Sequence, residues 1–551
     1  MKRRDEFGEL RALLHDGRLG EVDPQYRWAA LTRWLDAHPR PSMECQVYIE
    51  QCIARWDDSP RFALPSWLDE ATRFERKRRY RLANALRLSG DASKLPGVLP
   101  KVLSQTEWSN LDHLEIDRTR AHSREVIDAI LELTSLRNLT TLSIDNSHCQ
   151  AHRVISALSR CERLETLLLD HSPREVDLSA LTLTPEVLER LKHVEVNRLR
   201  APDDVHGAEA LAMLARGCKS LTLGKPSHVD EPLAPLVGPM RFDALTALDV
   251  SGYELEARGV DALFGALGQE QLETLIYSPA RASARLLGGL RGLSRVAVFL
   301  PLERMEQDVS ADVTALMRHP LTHFCWQAAP FESVPLEVWQ LLELDTLETF
   351  AVETEVVPLI TAAPGSSLKS FELRGHFELP AHERVCQLLS KSRGLTSLSL
   401  YHYRGEVQFG EGAVAPATPP AMKRVLEIAC GLPALRSLTC INHSRRLGEL
   451  EAFLSARPPN LTSLTLDFEQ SELPWLLGKM REGAFDGLGM LEIRCHDIAH
   501  EDRKRLIFEM SENLTVFTRV VGRESRLYAR RFFNRSMRAQ LVHGYTRSCW
   551  A

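Results

Sequence analysis

The sequence predicts an α/β solenoid, with short parallel strands on one side of a curved array and helices on the other. Three observations predict it: one six-residue apolar word recurs along most of the chain, its spacing clusters near 27 residues, and the stretches between copies carry helix signals. The word is clearest at Leu461-Thr-Ser-Leu464-Thr-Leu466. Fifteen copies start at Leu111, Leu139, Leu164, Leu191, Cys218, Leu245, Leu272, Leu293, Leu321, Leu347, Leu368, Leu395, Leu435, Leu461 and Leu488. Their spacings are 28, 25, 27, 27, 27, 27, 21, 28, 26, 21, 27, 40, 26 and 27 residues. A period in this range marks stacked units, none of which buries its own apolar face alone. The 551 residues then read as one long array with flanking pieces.

Residues 1–104 precede the words and show helical periodicity. Trp28, Leu31 and Leu35 fall at i, i+3 and i+7, and Cys45, Ile49, Cys52, Ile53 and Trp56 continue a similar stripe. A further helix is expected where Ser66 can cap, Asp69 follows, Ala71, Phe74, Leu82 and Ala85 supply one face, and Gly90 ends it. Its basic run, Arg73, Arg76, Lys77, Arg78, Arg79 and Arg81, is interrupted by Glu75 and reads as a solvated face rather than a nucleic-acid site. Because the first repeat has no neighbour on its outer side, these helices are expected to form an α-helical N-terminal cap.

The array spans 105–520. Alternation along each strand turns the apolar residues of the word inward and the others outward. Helices are expected between words, as at Ser123–Leu133 and at Thr184-Pro185-Glu186, where a cap precedes a first-turn proline. Strands pack about 4.8 Å apart and helices about 10 Å apart, so the strand side is the shorter one and the array curves into a horseshoe. Its concave sheet would run about 70 Å. The two 21-residue spacings predict extended connections instead of full helices. The 40-residue spacing holds an insertion from Tyr401 to Pro420 that begins with Tyr401 and Tyr403 and continues with glycines and prolines, read as a projecting loop. One more strand is expected at Leu514–Phe517, and residues 521–551 read as a basic amphipathic cap or tail, with Arg526, Arg530, Arg531, Arg535 and Arg538 along it.

These words resemble leucine-rich repeats over about Leu111 to Ile493, and the period near 27 is similar to the ribonuclease-inhibitor and cysteine-containing types. The resemblance implies a leucine-rich-repeat solenoid whose concave face binds protein. The family's asparagine or cysteine three residues after the word is here Thr119, Ser147, Ser172, Tyr253, His376 or His443, so irregular turns are expected. The segment Trp28-Ala-Ala-Leu31-Thr-Arg-Trp34-Leu35 resembles the companion domain that precedes degenerate leucine-rich repeats in myxobacterial and planctomycete proteins, which implies a bacterial source.

Composition is ordinary for a soluble chain, with 44% hydrophobic and 26% charged residues and a formal charge of -6, and points to neither nucleic acid nor membrane. The charged start and the lack of any run of 18 apolar residues predict a cytoplasmic protein without a signal or transmembrane segment. The 11 cysteines include no C-x-x-C pair and read as reduced, several of them core thiols.

Catalytic motifs fail on their spacing. His382-Glu383 and His500-Glu501 lack the second histidine of a zinc protease, and Gly224-Lys225-Pro226 is no phosphate loop. Cys495-His496-Asp497 reads as a turn. His148, Cys149 and His152 crowd one turn and are the one weak metal candidate, but a single thiol with loosely spaced imidazoles fits polar turn residues better. No cofactor and no catalytic residue is expected. The function expected is a non-catalytic scaffold that binds a protein on its concave face, with Glu115, Glu195, Asp249, Glu273, Glu348, Glu372, Tyr401 and Tyr403 as candidate contacts. Two alternatives stand beside it: a targeting module for an enzymatic or nucleic-acid activity in residues 1–105 or the basic tail, and a subunit of a bacterial defence or secretion assembly.

Overall fold

The computed structural model describes residues 6–15, 24–38, 41–56, 61, 82–88, 111–116, 134–145, 158, 160–170, 185–196, 205–224, 232–268, 270–299, 309–327, 345–353, 357, 367–375, 379–402, 421–441, 447–488, 490–496 and 517–521. The chain divides into two compact units, residues 1–293 with 535–551, and residues 294–534.

The first unit opens with helices α1 (Glu6–His15), α2 (Pro24–Ala37) and α3 (Met43–Ile53), α1 packing on both of the others. The Ser42 hydroxyl caps α3 by accepting the Cys45 amide at 3.3 Å. Of the stripe that helical spacing predicts, Trp28, Leu31, Leu35, Cys45 and Ile49 are buried, with Leu10 of α1 beside them, and Cys52, Ile53 and Trp56 are half-buried. The strands follow: β1 (Ala85–Leu88), β2 (His113–Ile116), β3 (Thr141–Asp145), β4 (Thr166–Asp170), then α4 (Pro185–Arg190), β5 (His193–Val196), α5 (Val205–Gly217), β6 (Ser220–Leu223), α6 (Ala234–Val237), β7 (Ala247–Asp249), α7 (Ala257–Ala266), β8 (Thr274–Tyr277) and α8 (Ser283–Gly289).

The second unit continues the pattern with β9 (Arg295–Phe299), α9 (Ser310–Leu316), β10 (His323–Gln327), β11 (Thr349–Glu353), β12 (Ser370–Gly375), α10 (Leu379–Lys391), β13 (Ser397–His402), α11 (Ala421–Cys430), β14 (Ser437–Ile441), α12 (Leu447–Ala456), β15 (Ser463–Glu469), α13 (Leu473–Arg481), β16 (Met490–His496) and β17 (Phe517–Val521).

Every one of the fifteen words yields a strand that begins two residues after its first place. Within each unit neighbouring strands pair parallel and in sequence order. The fourth place of the word stays in register throughout: Leu86, Leu114, Leu142, Leu167, Val194, Leu221, Leu248 and Leu275 in the first unit. Val296, Phe324, Phe350, Phe371, Leu398, Leu438, Leu464 and Leu491 do the same in the second. All sixteen are at most 6% exposed. At about 1.5–3 kcal/mol per buried side chain these rows are the main stabilising element of the stack. The helices add their own faces, Val260, Leu263 and Ala266 from α7 and Leu473, Leu476, Leu477 and Met480 from α13, and successive helices pack on each other from α4 to α5, α6 to α8 and α10 to α12. The chain is therefore an α/β solenoid of leucine-rich-repeat-like units.

Three expectations are corrected. The helix expected through Ala85 gives way there to β1, which pairs with β2, so the strand ladder starts before residue 105. Ala83, Leu86 and Leu88 fill the apolar places of the same word, but alanine in first place hides it. The last strand runs on to Val521 instead of ending at Phe517, with Met490 paired to Phe517, and its expected start at Leu514 lies outside the described residues. The first 21-residue connection contains a helix, α8, short but real. Proline opens α4 at Pro185 as its sequence implies. The Ser123–Leu133 helix, the basic run at 73–81, the insertion beyond His402 and the tail from residue 522 lie outside the described residues.

Candidate interaction face

Places three and five of each word, with the residue that follows it, counted as place seven, point away from the apolar rows by alternation and form the open face of the strands. Place two stands just before each strand and has a different task. The hydroxyls of Thr140, Thr246, Thr322, Thr396 and Thr462 donate to the carbonyls of Asp112, Lys219, Ser294, Lys369 and Arg436, each at place two of the preceding word, over 2.9–3.3 Å. At two steps an ion pair joins successive place-two residues: Lys192 to Glu165 at 2.6 Å and Lys369 to Glu348 at 3.1 Å. The hydrogen bond from Lys369 pulls the Glu348 carboxyl below its ordinary range. Glu348 and the exposed Glu273 belong to this row, just ahead of their strands, and Glu348 links its repeat to the next through Lys369.

On the open face of the second unit the structure assembles a polar site around Tyr401. Glu372 and Arg374 occupy places five and seven of β12, and Arg374 Nε donates to Glu372 Oε1 at 2.7 Å, with Nη2 on the same oxygen. Glu492 and Arg494 repeat the arrangement on β16, Arg494 Nε to Glu492 Oε1 at 2.8 Å. The charged ends are largely buried, with side-chain exposures of 13% and 5% for the first pair and 10% and 27% for the second. Tyr401, at place seven of β13, lies beside Arg374 in register, and the guanidinium carbon stands 5.3 Å from the ring centroid. Burial, then the Glu372 carboxylate, push the Tyr401 hydroxyl up to about 12, against the pull of Arg494 and Arg374. It is a neutral donor at physiological pH.

Between the two Glu-x-Arg pairs the floor is small. Place five reads Glu372, Ser399, Thr439, Thr465, Glu492 across five adjacent strands, and place three reads Ser370, Ser397, Ser437, Ser463 across four. Asp467, at place seven of β15, is 4% exposed. Charged groups that hold each other, an aromatic ring and a bed of hydroxyls thus share one face of the sheet. Tyr and Arg are also the residue types that dominate interface energetics.

The first unit places Glu195 and Asp249 at place five of β5 and β7, on either side of Thr222. Asp249 is fully buried, and its Oδ1 accepts from the Ser251 amide at 2.9 Å and hydroxyl at 2.7 Å. Glu115 is half-buried at place five of β2. Of the candidates taken from sequence, the structure thus brings together Glu372 with Tyr401, and Glu195 with Asp249. Tyr403, the basic-tail arginines and His148, Cys149 and His152 lie outside the described residues. Among the described residues no group of three His, Cys, Asp or Glu side chains could hold a metal ion, and no helix is long and apolar enough to cross a membrane. Sequence reasoning missed Arg374, Glu492, Arg494 and Asp467. The available signal was the tripeptide Glu-x-Arg at the same places of two words, Glu372-Leu-Arg374 and Glu492-Ile-Arg494.

No family model and no curated protein matches this chain. One solved structure similar to it is the crystal structure of the Rad7 and Elc1 complex in yeast, at 14% identity and a TM-score of 0.30, covering 88% of this chain and 98% of that one. A likeness at that score carries no argument, and the fold stands on the strand register alone.

Proposed function

We propose that the chain is a non-catalytic scaffold that binds a protein partner on the open face of its repeat sheet, with Tyr401 and its flanking Glu-x-Arg pairs as the anchor. The period near 27 fits repeats of the ribonuclease-inhibitor or cysteine-containing type. The carrying observation is the site itself: two ion pairs and a tyrosine, largely buried, on the face that the solenoid's apolar rows do not use. Burying an ion pair rarely stabilises a fold, because desolvation offsets the attraction. Two such pairs bracketing one ring therefore fit recognition better than stability.

The test is quantitative capture. Tyr401→Ala and Arg494→Ala chains would be compared with wild type and with an Arg285→Ala control, whose 2.6 Å pair to Asp261 is exposed. Partners that bind wild type and control should be depleted at least tenfold from both site variants, a loss of about 1.4 kcal/mol or more. Full retention by folded site variants would remove this face from consideration.

A further inference from the structure

We propose that what docks on the Tyr401 face is acidic: a segment of a second protein, rich in Asp and Glu, lying across β14–β16 between Arg436 and Arg494. This inference rests on the reading of that face as a docking surface and adds the chemistry of the occupant.

By formal charge the two Glu-x-Arg pairs balance, since Glu372 answers Arg374 and Glu492 answers Arg494. The two signs are not equally accessible. At β16 the Glu492 side chain is 10% exposed and that of Arg494 27%, and Asp467, in register beside Arg494, is buried. At β12 both ends of the pair are covered, with the Arg374 guanidinium over the Tyr401 ring. Along the edge where the strands begin, Arg436 is exposed, and so is Lys369, which shares its charge with Glu348. Between Arg436 and Arg494 lie the half-buried hydroxyls of Ser437, Thr439 and Ser463, which donate as readily as they accept. Tyr401 keeps its proton at the near end of this strip.

An approaching chain therefore meets positive charge and donors first, while the carboxylates of β15 and β16 lie beneath them. Negatively charged acceptors match that order. A basic segment would meet Arg436 and Arg494 as like charges, which complementary interfaces avoid. The layout also sets a length. From place two of β14 to place seven of β16 is five residues along the strand and two strand intervals across. That diagonal is about 19 Å, which an extended segment of about six residues spans.

The probe is a fluorescent oligoglutamate of about ten residues, longer than the span, titrated against the full chain and read by anisotropy. Oligolysine and a neutral Gly-Ser peptide of the same length run beside it. Oligoglutamate should bind wild type and the controls should not. In a Lys369→Glu/Arg436→Glu chain, whose altered positions are both exposed and whose folding is checked by its melting curve, oligoglutamate affinity should fall at least about tenfold. No binding of oligoglutamate, or equal binding of oligolysine, would reject an acidic occupant. Undiminished binding to the charge-reversed chain would reject it too, and would assign the probe to other arginines, such as those at 73–81 or 526–538. Captured partners separate this inference from the reading beneath it. Partners lost from Tyr401→Ala but kept by the charge-reversed chain would leave the face as the docking surface and remove only its acidic occupant. Partners kept by both Tyr401→Ala and Arg494→Ala would remove the face itself.

Discussion

The five place-two threonines show how a single hydroxyl ties one repeat to the one before it. Each donates to a carbonyl that already receives two amides, as Thr462 does at the Arg436 carbonyl, which is also bonded to the Thr462 and Ser463 amides at 2.8 and 2.9 Å. Thr462→Val keeps the shape and removes the bond, and should lower unfolding free energy by about 0.5–1.5 kcal/mol in a urea titration. Ser463→Ala, on the open face, should cost less. Two histidines at place three give a pH dependence of definite sign. Burial lowers the pKa of His193, aided by Lys219 and Lys192 against Glu165, and burial with Arg295 and Lys369 against Glu348 lowers that of His323. With the folded pKa below the unfolded value, the unfolded chain takes up the proton first. Stability is complete above the unfolded histidine pKa, near 6.5, and is lost as pH falls through the folded pKa. A His193→Gln/His323→Gln chain should lose stability less steeply over that window. A thermal-melting series that fell equally for both chains would assign the acid sensitivity to other groups.

At the scale of elements, the row of Phe324, Phe350 and Phe371 carries β10–β12. Their rings stack at 6.2 and 5.6 Å with interplanar angles of 15° and 14°, where the 21-residue spacing from Leu347 to Leu368 leaves a short connection. Phe350 is 1% exposed and touches both neighbours, so Phe350→Ala should cost about 3–5 kcal/mol and Phe350→Leu clearly less. Urea midpoints would separate the two. This row also shows how far sequence could reach. All fifteen strands followed from the word, because strand alternation and burial both act within six residues. β1 escaped because Ala83 stands where leucine marks the other copies, and a short apolar run satisfies helix and strand spacing alike. The Tyr401 site was half legible. Glu372 and Tyr401 were visible as outward residues, but their partnership with Glu492 and Arg494 depends on register carried through β14 and β15, which single-word patterns do not contain. The threonine staples were legible in principle, as five copies of the word carry threonine in second place.

For the whole molecule, a solenoid's stability is a sum of repeat and nearest-neighbour terms, so cooperativity extends only as far as the interfaces are uniform. The division at residues 293 and 294 falls shortly after α8, a helix of 7 residues in a 21-residue spacing. In contrast α5 and α10 have 13 residues each. Long repeat arrays of this kind depart from a single two-state transition. Denaturant unfolding followed by amide exchange and mass spectrometry should therefore resolve two transitions, one reported by peptides from β2–β8 and the other by peptides from β9–β16. The substitutions assign them: Leu221→Ala, at a fully packed position of β6, should shift the first transition and leave the second, and Phe350→Ala should do the reverse. A single transition displaced equally by both substitutions would mean that the two units unfold together and that the division at residue 293 does not interrupt cooperativity.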